Sequence, residues 1–132
     1  MINKVFSKIT QVNGGAASVT SPKFTMAKNS AVVFLIGASN SPLTVTAKGY
    51  KGEDTEKAIP FRIKELTKTD WETVNSDGLQ LAETDAFLVA ITANALAHDE
   101  LEGVTLALDG GGNGSTPETI FAFKIATRYI PE

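Results

Sequence analysis

A chain of 132 residues with 42% hydrophobic and 20% charged residues is one domain by length, able to bury a core without covalent staples. It has no cysteine, which excludes disulfide scaffolds, thiolate metal sites and cysteine nucleophiles together. A net charge of -3 argues against nucleic acid, whose phosphates need a basic stripe, and no apolar run approaches the roughly twenty residues that cross a bilayer.

The first twelve residues carry two periodicities. Ile2, Val5, Phe6 and Ile9 are spaced for one face of a helix, yet Val5, Phe6, Ile9, Thr10 and Val12 also favour a strand, and Gly14-Gly15 follows as a turn. The strand reading is preferred, as an arm that pairs with a neighbouring subunit. Ile2, Val5, Phe6 and Ile9 are then the candidate oligomer interface. Ser7, Lys8, Thr10 and Gln11 interrupt any apolar core of a secretory signal, so a soluble protein made in a cytoplasm is expected. Ala16 to Thr20 and Lys23 to Met26, parted by Ser21-Pro22, read as brief edge pieces because proline cannot donate to a central ladder. Residues 1–26 are thus set apart as arm and edge strands, and 27–132 as a β-sandwich domain.

The stretch Ala31 to Tyr50 organises the rest. Ala31 to Ile36 is an unbroken apolar run, which predicts a strand buried on both faces. Leu43, Val45 and Ala47 alternate with Thr44, Thr46 and Lys48, which predicts a strand with one wet face. Gly37 to Pro42 between them joins either a hairpin or two strands across a sandwich. Lys51 to Lys57 reads as a charged loop. Phe61, Ile63 and Glu65 alternate with Arg62, Lys64 and Leu66, a strand with a basic polar face. Thr67 to Asp77 holds the only tryptophan, Trp71, and Asp77-Gly78 supplies the positive φ of a tight hairpin before Leu79 to Leu81. Ala86 to Ile91 predicts a second buried strand. Thr92 to Glu102 is too short for a stable helix and reads as one helical turn, closed by Gly103. Val104, Leu106 and Leu108 alternate, Gly110 to Ser115 forms a loop tip, and Ile120 to Tyr129 alternates to the end. The pattern is all-β: an antiparallel β-sandwich or jelly roll of about eight strands with at most one short helical turn.

No residue cluster discloses chemistry. His98 with Asp99 and Glu100 is the nearest to a zinc site, but adjacent residues rarely converge on one ion. A serine triad would need the same histidine, and no Gly-x-Ser-x-Gly elbow exists. The glycine loop Asp109 to Ser115 lacks both the lysine and helix of a phosphate cradle and the alternating acids of a calcium loop, with only Asp109, Asn113 and Glu118 available. Glu53, Asp54, Glu56, Glu83 and Asp85 could pair for glycoside hydrolysis, but solubilising loops explain them. Trp71, Tyr50 and Tyr129 could stack a sugar, although most of the aromatic residues are phenylalanines at core positions. No catalytic residue, metal or cofactor is expected.

The order of elements in the second part is more specific than any one of them. Leu43 to Ala47 is followed by a charged loop, Lys57-Ala58-Ile59-Pro60-Phe61-Arg62, the Trp71 segment, Ala86 to Leu96, Gly103 to Leu108, a Gly/Ser/Thr loop, and Ile125-Ala126-Thr127-Arg128-Tyr129. This order, over roughly residues 43 to 130, resembles a group of small tailed-phage and prophage proteins encoded near the major capsid protein. The resemblance implies a virion structural protein that decorates and stabilises the capsid by binding the assembled head, without enzymatic activity. It implies the major capsid protein as partner, a place on the capsid surface after synthesis in a bacterial cytoplasm, and a homo-oligomer, with a trimer as the expectation. Neither nucleic acid nor membrane is expected as a partner. The alternatives are a tail or head-completion protein, or a carbohydrate-binding β-sandwich module with Trp71 and a tyrosine on one face. A jelly-roll enzyme is a further alternative and needs His98 and several carboxylates in one cavity.

Overall fold

The computed structural model describes residues 2–6, 10–12, 14–25, 30–38, 42–51, 55–81, 85–92, 101–110, 116–117 and 119–129. Among them are thirteen strands: β1 (Ile2–Phe6), β2 (Thr10–Gln11), β3 (Ser18–Thr20), β4 (Phe24–Thr25), β5 (Ser30–Ile36), β6 (Leu43–Lys51), β7 (Thr55–Ile59), β8 (Phe61–Glu65), β9 (Glu72–Val74), β10 (Leu79–Leu81), β11 (Phe87–Thr92), β12 (Gly103–Asp109) and β13 (Ile120–Tyr129). One sheet runs β1-β13-β5-β11-β8-β9, with β2 also on β13. The other runs β10-β6-β12-β3, with β4 also on β12 and β7 on β6. Every pairing is antiparallel, and one core lies between the sheets. The expected β-sandwich is present. Its strands outnumber the expectation because residues 1–12 hold two strands, β1 and β2, and because β7 and β9 show no apolar alternation in the sequence.

Alternation fills the core from both sides. The first sheet sends in Val32, Phe34 and Ile36 from β5 and Phe87, Val89 and Ile91 from β11. The second sends in Leu43, Val45 and Ala47 from β6 and Val104, Leu106 and Leu108 from β12. β5 pairs with β11 and β13 while β6 pairs with β12, so the chain crosses the sandwich between Ile36 and Leu43 rather than making a hairpin.

Three local expectations are corrected. β5 and β11 are not fully enclosed on both faces: of their outward residues Val33 is buried, but Leu35, Leu88 and Ala90 are half-buried, because every described strand belongs to the two sheets and none forms a third layer. The stretch Lys51 to Lys57 is not all loop. Its second half enters β7, which pairs with β6 in register Tyr50↔Glu56 and Ala47↔Ile59, so ladder hydrogen bonds and a buried Ile59 outweigh the charged composition. Pro60, with no N–H to give, then marks the passage to β8 in the other sheet. The Asn75 to Gly78 turn forms, with Gly78 N–H donating to Asn75 C=O at 3.1 Å and Gly78 at φ 85°. It links β9 of one sheet to β10 of the other and is therefore not a hairpin, since each strand finds its partner elsewhere.

The edge pieces lie where proline predicts. β3 and β4 both pair with β12 on either side of Ser21-Pro22. Ser21 repairs the gap: its N–H donates to Leu106 C=O at 2.9 Å and its Oγ accepts from Leu106 N–H at 3.0 Å. β1 pairs with β13 of the same chain, from Ile2↔Tyr129 to Phe6↔Ile125. Val12 is a core residue, and its N–H donates to Ile120 C=O. β1 to β4, the segment set apart in the sequence, all pair with strands of the two sheets. Thr92 closes β11, Leu101 and Glu102 are not helical, and residues 93–100 of the helical-turn expectation lie outside the described residues.

Candidate interaction surfaces

The registers turn the outer face of the first sheet into rows that cross strands. Phe121, Leu35, Leu88 and Lys64 form one row across β13, β5, β11 and β8. Phe123, Val33, Ala90 and Arg62 form the next, and Ile125, Ala31 and Thr92 a third. Val33 is only 8% exposed, yet it lies outside the core cluster, so its burial comes from this outer face. Leu66 continues the face, because its N–H donates to Ala86 C=O one step beyond the Glu65↔Phe87 pair. Trp71 directly precedes β9, whose Glu72 pairs with Ile63 of β8. Leu66 and Trp71, 50% and 40% exposed, are the large exposed hydrophobics among the described residues, and both sit at this corner.

The outer face of the second sheet has another chemistry. Thr44, Thr46, Lys48 and Tyr50 stand along β6, opposite Asp109, Ala107, Thr105 and Gly103 of β12. Thr20 of β3 and Thr25 of β4 extend it. At one end a polar cluster forms around Tyr50. Thr105 Oγ1 donates to Tyr50 Oη at 3.2 Å, and Lys23 Nζ lies 4.3 Å from the Tyr50 ring centroid. Lys48 Nζ donates to Glu56 Oε1 at 3.0 Å. That hydrogen bond, and then the ammonium charge, holds the Glu56 carboxyl below the usual carboxylate range; the same two causes raise Lys48. Both side chains are exposed, so the pair organises the surface and adds little stability.

Two concavities accompany these faces. One of about 50 Å³ opens at the sandwich edge between Phe87, Leu79, Leu81 and the β8–β9 turn. The other, about 150 Å³, lies beside Tyr50 and is lined by Lys23, Thr25, Glu102 and Gly103. Both are small against the roughly 300 Å³ at which substrate pockets begin. Among the described residues no three His, Asp or Glu side chains come together as a metal site.

Several residues singled out by sequence fall outside the described residues: Ile9, Glu53, Asp54, Glu83, His98, Asp99, Glu100, Asn113 and Glu118. The backbones of Ile2, Val5 and Phe6 lie in β1, and that of Tyr129 in β13. Asp85 and Asp109 are exposed, while Glu56 is held by Lys48. Trp71 and Tyr50 are not brought together: one adjoins the first sheet and the other stands on the outer face of the second, with Lys23 over its ring. The sequence reading missed the cluster of Lys23, Tyr50 and Thr105. The alternation of Lys48 with Tyr50 hinted at a shared wet face, but the contact with Thr105 spans 55 residues.

In class, the chain is an antiparallel two-sheet sandwich. No protein-family model matches the sequence, and no curated protein matches it. In fold it is similar to the crystal structure of SPBc2 prophage-derived protein YomS, with a TM-score of 0.57 and 12% identity over 97% of this chain and 96% of that one.

Proposed function

We propose that this protein is a structural component of a tailed-phage virion that decorates the capsid, binding the assembled head and stabilising it without catalysing a reaction. The observation that carries the reading is the fold shared with a prophage-derived protein over nearly the whole of both chains. The order of motifs between residues 43 and 130 supports the head as the place of action. Its partner is the major capsid protein, and it acts as a homo-oligomer, a trimer on three-fold positions, whose repeated contacts add through avidity.

The test is to induce the prophage that carries the gene, purify particles through a density gradient, and identify this chain by mass spectrometry. Stoichiometric presence on full and empty heads, with added protein restoring heads that lack it, is the expected result. Presence only on tails or at the neck would replace decoration by a tail or head-completion role. Absence from particles would overturn the virion reading.

A further inference from the structure

We propose that the outer face of the first sheet is the docking surface for the head, and that the capsid surface it meets has an apolar centre and carboxylates at its rim. This rests on the head-binding reading above and assigns it to one face of the molecule. Several observations converge. Phe121, Leu35 and Leu88 form an apolar row across three strands that buries nothing in the core. A sandwich does not need such a face: the outer face of the second sheet carries threonines instead. The exposed Leu66 and Trp71 lie at one corner of the same face, and tryptophan is enriched where protein interfaces hold their energy.

The rim supplies the charge argument. Arg62 is exposed and Lys64 half-buried in the same rows as Ala90 and Leu88. Neither has a carboxylate partner among the described residues, in a chain whose net charge is -3. Cations without a carboxylate partner among the described residues, beside an apolar surface, favour a partner that brings carboxylates. A second copy stacked by the same face would bring more Arg62 and Lys64, or the neutral Gln11 of β2, and no acid from the rows described above.

Co-sedimentation with empty heads of the phage that carries the gene separates the possibilities. The wild-type protein, Arg62→Glu/Lys64→Glu, Trp71→Ala and the opposite-face control Thr20→Glu are compared, each checked for folding by circular dichroism. The expected result is at least a tenfold loss of affinity for the double charge reversal and for Trp71→Ala, no change for Thr20→Glu, and wild-type binding that weakens as salt rises. Wild-type binding that all variants retain would overturn the docking face and leave head binding intact. Wild-type protein that does not bind heads would overturn both. First-sheet variants that dissociate an oligomer while heads still bind them would show the face to be a contact between copies, which also overturns the proposal.

Discussion

Sheet against sheet, the inner faces are alike and the outer faces are opposites. Val32, Phe34, Ile36, Val89 and Ile91 meet Leu43, Val45, Val104, Leu106 and Leu108 in one core. Outside, the first sheet shows phenylalanine and leucine with a cationic flank, and the second shows threonine with a tyrosine-centred polar cluster. The second sheet demonstrates that folding requires one apolar face per sheet. The apolar outer face of the first is therefore surplus to the core, and large exposed apolar surface usually marks an interaction site.

Substitution should cost most in the core that the two inner faces share. Phe34→Ala and Leu106→Ala, one from each inner face, should cost about 3–5 and about 2–5 kcal/mol respectively, in single cooperative urea transitions. Two transitions would show that the sheets do not share one core. Next in size is Ser21→Ala, which removes the acceptor of the buried Leu106 N–H and should cost about 1–3 kcal/mol by the same measurement, whereas Ser18→Ala at the exposed β3 end should cost little. An unchanged midpoint would mean that water takes over the role of the hydroxyl.

Exchanging the outer faces should change stability less than it changes association. Leu88→Thr and Thr46→Leu should each shift unfolding by under about 1.5 kcal/mol, since neither side chain belongs to the core cluster. Binding of a hydrophobic dye should fall for the first and rise for the second. The Lys48–Glu56 pair should matter least. Glu56 is lowered from 4.5, so its contribution is present above that value and is lost as pH falls through the lowered one. Lys48 is raised from 10.5, so its contribution is present below that value and is lost as pH rises past the raised one. The melting temperatures of wild type and Glu56→Gln should differ slightly at neutral pH and converge well below 4.5. A difference that persists in acid would trace to something other than the ion pair.

Local pattern made the inner faces legible. The alternation of Leu43, Val45 and Ala47, of Phe61 and Ile63, and of Val104, Leu106 and Leu108 named the buried side chains correctly, because successive strand residues must point to opposite faces. The run Ala31 to Ile36 misled in one respect: an unbroken apolar stretch reads as enclosed on both sides, and here one side faces outward. Its apolar outer residues are the clearest trace of the apolar outer face in the sequence, but their meaning depended on what lies beside them.

That neighbourhood is a matter of tertiary structure. Phe121, Leu35 and Leu88 come from three strands far apart in the chain, and only pairing registers set them in one row. The Asn75 to Gly78 turn has the same local chemistry in a hairpin as in a crossing, and the choice was made by β8 and β6, the partners of its flanking strands. β7 overrode its charged composition in the same way, through the ladder offered by β6. Which face of each strand is apolar can be read from the residues alone, since alternation belongs to the backbone. Which strands lie side by side, and so which apolar residues meet outside the core, follows from long-range hydrogen bonding and packing that no local pattern encodes.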